Sequence, residues 1–111
     1  MNVSSKALND NVILKFEVDH LLGYEENDFQ GAVLKAINGK SKYIVVDLSL
    51  LNFISSWGIG MLIHGFTTAK NKGVNFIIAG VKENIMDVFK KTKIDTVLEF
   101  YSSVDLAVKH N

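Results

Sequence analysis

No cysteine and no arginine occur anywhere in the 111 residues. The first absence excludes disulfides, thiol catalysis and cysteine-ligated metals. The second removes the guanidinium that makes bidentate phosphate and base contacts. Cationic and acidic residues balance at 12 each, so no basic excess is available to hold a nucleic-acid backbone, and no nucleic-acid partner is expected. Long apolar runs are missing too. The most continuous, Trp57 to Ile63, is far shorter than a bilayer span. The opening Met1-Asn2-Val3-Ser4-Ser5-Lys6 lacks the charged-then-apolar pattern of a signal peptide. The expectation is a cytoplasmic protein without membrane insertion.

What is present suits one globular domain over residues 1–111. Apolar residues make up 48% and charged residues 22%, ordinary values for a folded protein. The organising stretch runs from Tyr43 to Gly73. Tyr43-Ile44-Val45-Val46 shows no alternation and reads as a strand buried on both faces. Beyond Asp47-Leu48-Ser49, Ser55-Ser56 precedes a helical pattern in which Ile59, Leu62, Ile63, Phe66 and Ala69 recur at three- and four-residue intervals. Lys70, Lys72 and Gly73 supply the stop.

Elsewhere, Asn9-Asp10-Asn11 is a turn cluster, followed by a strand over Val12–Val18; the residues before the turn argue only weakly for an edge strand. Gly23 breaks the chain, Glu25-Glu26 begin a helix and Asn38-Gly39 end it. Gly31 inside that helix suggests close packing against a neighbour. Asn75–Ala79 reads as a strand, Glu83–Lys91 as a helix, Val97–Tyr101 as a strand and Val104–Lys109 as a short helix. Alternating strands and helices predict an α/β fold with a mixed, mostly parallel sheet of four or five strands and crossover helices.

A serine at a helix start caps an unpaired N–H and sits in the positive end of the helix dipole. A phosphate added there meets donors and a favourable field. A plain cap and a modification site are both open on residue type alone. At about 100° per residue, Trp57, Met61, His64 and Thr68 gather on one side, nearly opposite Ile59, Leu62, Ile63 and Phe66. Trp and Met are common in protein–protein contacts, which makes this face a candidate partner surface; the alternative is that Trp57 folds back under a loop.

These residues carry a resemblance. Asp47-Leu48-Ser49 followed by Phe53-Ile54-Ser55-Ser56-Trp57-Gly58-Ile59-Gly60 resembles the signature of STAS domains, the anti-sigma factor antagonists. The resemblance covers roughly residues 12 to 108 and implies the small SpoIIAA-like fold. It places the phosphorylated serine at Ser56, two before Gly58, with Asp47, Ser49, Gly58 and Gly60 as structural support; Ser55 and the face of Trp57, Met61, His64 and Thr68 are the candidate partner-binding residues. Two positions depart from the family pattern: Ser55 stands where an aspartate is usual, and Trp57 where a small residue is. Lys93 stands where the family usually has glycine. The implied function is a binding module whose unphosphorylated form holds an anti-sigma factor serine kinase and frees the sigma factor.

Catalytic constellations are not legible. His20, His64 and His110 lack ligand spacing, and Ser55-Ser56-Trp57-Gly58 lacks the leading glycine of a nucleophile elbow. Ser56 and His64 lie about 12 Å apart along the helix axis. Gly58-Ile59-Gly60 lacks the third glycine of a dinucleotide fingerprint. No catalytic residue, metal site or cofactor is expected. Two rival readings accompany the switch: a non-switching STAS scaffold or subunit of a signalling or transport complex, and an anion- or nucleotide-binding module at the Ser56 helix start.

Overall fold

The first two strands show why the chain begins as a sheet edge. A computed structural model describes residues 2–109; His110, one of the scattered histidines, lies outside the described residues. β1 (Val3–Leu8) and β2 (Asn11–Phe16) pair antiparallel, from Val3 opposite Phe16 to Leu8 opposite Asn11. Asn9 takes the left-handed turn position with φ 55, a conformation asparagine tolerates better than most residues. The edge strand that the sequence argued weakly is therefore a full six-residue element. Only Val3 in it is buried, which is why it carries little apolar signal.

From β2 the chain passes through β3 (His20–Leu21), α1 (Glu26–Asn38), β4 (Tyr43–Asp47), β5 (Phe53–Ile54) and α2 (Ser56–Asn71). It continues through β6 (Asn75–Ala79), α3 (Glu83–Lys91), β7 (Glu99–Tyr101) and α4 (Val104–Lys109). The main sheet has five strands in the order β1-β2-β4-β6-β7, parallel throughout except for β1. This is the mixed, mostly parallel α/β sheet expected from the alternation of elements. β3 and β5 form a separate two-residue parallel pair, too short to be read from sequence.

Two clusters divide the sheet by face. Leu14, Phe16, Ile44, Val46, Phe76 and Ile78 point to the side covered by α1, α2 and α3; Val45, Ile77 and Ala79 point to the side covered by α4 through Ala107. Because β4 and β6 are covered on both sides, their runs need no alternation. Phe29 of α1 sits against Phe16 and Phe76, with ring centroids 4.9 and 6.3 Å away. No helix among the described residues is long and apolar enough to cross a membrane.

Three details differ from expectation. The second strand, expected over Val12–Val18, runs Asn11–Phe16. Gly31 is exposed, and a Cβ there would meet nothing within 4 Å, so close packing is not its reason. The last strand is shorter than Val97–Tyr101, because a 3-10 turn over Ile94–Thr96 takes up its approach. Lys93 leads into that turn with φ 65, the left-handed region that favours glycine. The backbone thus keeps the shape that a glycine would serve, with a lysine in its place.

Candidate functional site

The site is built where the loop after β4 is tied to the segment between β2 and α1. At the end of β4, Asp47 is buried and its Oδ1 accepts the Ser49 N–H at 2.9 Å. Gly80, with φ 74, lies so close that a Cβ would come within 3.2 Å of Ser49 Cβ and 3.4 Å of Asp47 Oδ1. Asn52 N–H and Phe53 N–H then both donate to Asp19 O, at 2.7 and 3.0 Å, and Ser55 N–H donates to Leu21 O at 3.0 Å. Asp47 and Ser49 therefore shape the turn that leads from β4 toward α2.

Ser55 is the cap. Its backbone is extended, its Oγ accepts the Gly58 N–H at 3.1 Å, and its hydroxyl reaches Leu22 O at 3.2 Å. A serine cap satisfies one of the orphan donors of the first turn. Gly58 fixes the approach: a Cβ on it would sit 2.5 Å from Leu21 O and 2.9 Å from Ile54 Cγ1. Only a residue without a side chain lets α2 start this close to the β3 segment. Ser56 is consequently the first helical residue, exposed, and among the described residues its hydroxyl has no hydrogen-bond partner.

Trp57 is 75% exposed, so it does not fold back under a loop. Its Cβ lies where a side chain on Gly23 would begin, 2.9 Å away. Gly23, Glu26, Ser56, Trp57, Gly60, Met61 and His64 line an open cleft of about 380 Å³. Gly60 contributes by having no side chain, since nothing lies within 4 Å of its would-be Cβ. On the cleft wall, His64 Nδ1 meets Glu26 Oε1 and links α2 to α1.

The candidate partner face is open at Trp57 and His64 and closed at Met61 and Thr68. Met61 is 3% exposed and belongs to the main core; it floors the cleft and is not a surface anchor. Thr68 is half-buried, its hydroxyl donating to His64 O at 3.0 Å and accepting from Gln30 Nε2 at 2.9 Å. The physical reason is α1, which packs along this side. Helical periodicity puts Trp57, Met61, His64 and Thr68 on one side, but it does not distinguish solvent from a neighbouring helix. The opposite set is also less buried than expected: Ile59, Ile63 and Phe66 are half-buried, and the deepest arc runs Gly58, Met61, Leu62, Gly65, Ala69. A Cβ on Gly65 would fall 2.5 Å from Phe29 Cε2, so a glycine marks the tightest helix contact. Hydropathy gives it no weight.

Two exposed aromatic residues on the segments leading to the cleft escaped sequence reasoning. Tyr24 is 83% exposed and Phe53 49% exposed, and the Phe53 ring stands edge-on to His20 at 5.7 Å. The signal available was an isolated tyrosine between Gly23 and two glutamates. No group of three metal-ligating residues is assembled among the described residues.

A five-stranded, mostly parallel sheet with three helices on one face and α4 on the other, and a capped helix start held against a short second strand pair, define the α/β class. The family model for the STAS domain matches residues 3–107, and the chain belongs to that family. The fold is shared with an anti-sigma-factor antagonist (STAS) domain protein from Planctomyces limnophilus at 21% identity, TM-score 0.83, over 97% of this chain and 95% of that one. A sulfate transporter family protein from Wolinella succinogenes is similar at 14% identity, TM-score 0.83, over 95% and 87%. The phosphorylated form of the Bacillus cell fate determinant SpoIIAA is similar at 13% identity, TM-score 0.72, over 98% and 99%.

Proposed function

We propose that this protein is an anti-sigma factor antagonist: a non-catalytic, cytoplasmic binding module that in its unphosphorylated form holds an anti-sigma factor serine kinase and so frees the sigma factor. Phosphorylation of Ser56 by that kinase ends the contact. The observation that carries this reading is the division of labour between adjacent serines. The Ser55 hydroxyl is consumed by Leu22 O and Gly58 N–H, whereas Ser56 is exposed at the first helical position with its hydroxyl unengaged. A phosphate on Ser56 adds close to two negative charges. The α2 N-terminus tolerates them locally, because the helix dipole and its free N–H groups favour an anion. A partner packed on Trp57 and Tyr24 does not, because desolvating that charge in an apolar contact is costly.

A second reading is a STAS module that does not switch, serving a signalling or transport complex. It is favoured by Ser55, which fills the capping position with no carboxylate. The test is incubation with the cognate kinase and ATP, followed by site mapping by mass spectrometry. Phosphate on Ser56 is expected, retained in Ser55→Ala and lost in Ser56→Ala, with Ser56→Ala still binding the kinase. Phosphate on Ser55 alone, or on neither serine despite a bound active kinase, hands the case to the non-switching module.

A further inference from the structure

The two edges of the main sheet differ, and the difference bears on self-association rather than on Ser56. β7 presents three residues and is followed at once by α4, starting at Val104. β1 presents six, with one charge, Lys6, and no proline. Glu17 N–H donates to Asn2 O at 2.7 Å, which makes that pair a hydrogen-bonded rung. Such rungs alternate in an antiparallel ladder. Ser4, Lys6 and Leu8 therefore turn their N–H and C=O groups toward β2, and Val3, Ser5 and Ala7 turn theirs outward. Among the described residues no backbone partner meets those outward groups.

We propose that β1 pairs antiparallel with β1 of a second copy of this chain, about a two-fold axis passing through Ser5 and perpendicular to the sheet. In that register Ser5 faces Ser5 of the second copy, and Val3 faces its Ala7. All three outward residues then form hydrogen-bonded rungs. Lys6 falls opposite Ser4 of the second copy. Centring the axis on Lys6 sets two lysines face to face, and centring it on Ser4 leaves Val3 and Ser5 as the only outward residues of β1 that meet one another. The bulges, prolines and inward charges that commonly block an edge are missing from β1. The space above it is open too, since two clefts, one lined by Ser5, Gly31 and Lys35 and the other by Ser5, Ala7 and Lys35, lie between β1 and the inboard helix α1. Two five-stranded sheets join into one continuous sheet with the helices α1 to α3 of both copies on the same face. The two α2 N-termini point to opposite ends and stay open, so the assembly is bivalent.

The interface rests on ladder hydrogen bonds with little apolar area, which puts it among weak associations. Sedimentation equilibrium of the full chain, run up to millimolar concentration, is expected to show a monomer–dimer equilibrium. Ser5→Pro deletes an outward N–H and no β1–β2 bond, a substitution that edge strands accept. It should raise the dimer dissociation constant at least tenfold with an unchanged circular dichroism spectrum. Ser5→Cys places the only thiols of the dimer on Cα atoms about 5.5 Å apart, within disulfide range, so mild oxidation should yield a covalent dimer. Lys6→Cys should not cross-link, because its two copies are offset along the strands. A monomer at every concentration, a dimer indifferent to Ser5→Pro, or Lys6→Cys cross-linking as fast as Ser5→Cys overturns the proposal.

Discussion

Gly58 and Gly60 stand two residues apart in the first turns of α2, and they do opposite things. A Cβ on Gly58 would collide with a backbone carbonyl, whereas one on Gly60 would meet nothing within 4 Å. The same contrast runs along the helix. Its inner arc of Gly58, Met61, Leu62, Gly65 and Ala69 is packed against the sheet and α1, while Ser56 and Trp57 stand in solvent. Inward positions are fixed by space and outward ones are free to serve a partner. A rigid arc beneath an exposed turn holds Ser56 at a fixed place, as the proposed contact with a partner would require.

The comparison breaks or sharpens most sharply at Met61. Met61→Ala should cost roughly 2–5 kcal/mol of stability, as core truncations do, read from the urea midpoint at constant m-value. An unchanged midpoint would return Met61 to the surface. Next comes Gly58→Ala, expected to lose about 2–3 kcal/mol through overpacking, because the nearest atom is backbone and cannot swing aside. Ser55→Ala should cost about 1 kcal/mol through the lost cap, and amide exchange should show the loss first at Gly58. Gly60→Ala runs the other way, stabilising by up to ~1 kcal/mol because alanine is the better helix former; thermal melting would show a rise of a few degrees. Smallest is Trp57→Ala, within about 0.5 kcal/mol in the same urea titration. Under the proposed function it nonetheless weakens kinase binding by at least ~1 kcal/mol, as for an interface anchor, measurable by calorimetry. A Trp57→Ala chain that unfolds would erase the distinction between the two sides.

Most of the fold was legible because its signals are local. The unalternating, β-branched run Tyr43–Val46 reads as a strand covered on both faces, and the lysines and glycine closing α2 marked its end. β1 was nearly missed because five of its six residues are exposed, so no apolar alternation marks it; its strand state rests on pairing with β2. The β3–β5 pair has two residues per strand and no periodicity at all. At the site, the resemblance pointed to the serine pair and the glycines, but residue type alone gave both serines the same claim to cap α2.

The sequence by itself determined the order of the longer strands and helices, the mostly parallel character of the sheet and the place of the Ser55–Gly60 segment at a helix start, since each follows from spacing along one chain. Only the tertiary structure decided which serine is consumed as a cap, that Met61 is core and Thr68 is bonded to α1, and that Trp57 and Tyr24 are exposed. Those outcomes depend on which element lies across from a helix face. Periodicity gives a residue's direction from the helix axis; whether water or another helix waits there is settled by contacts between segments far apart in the chain.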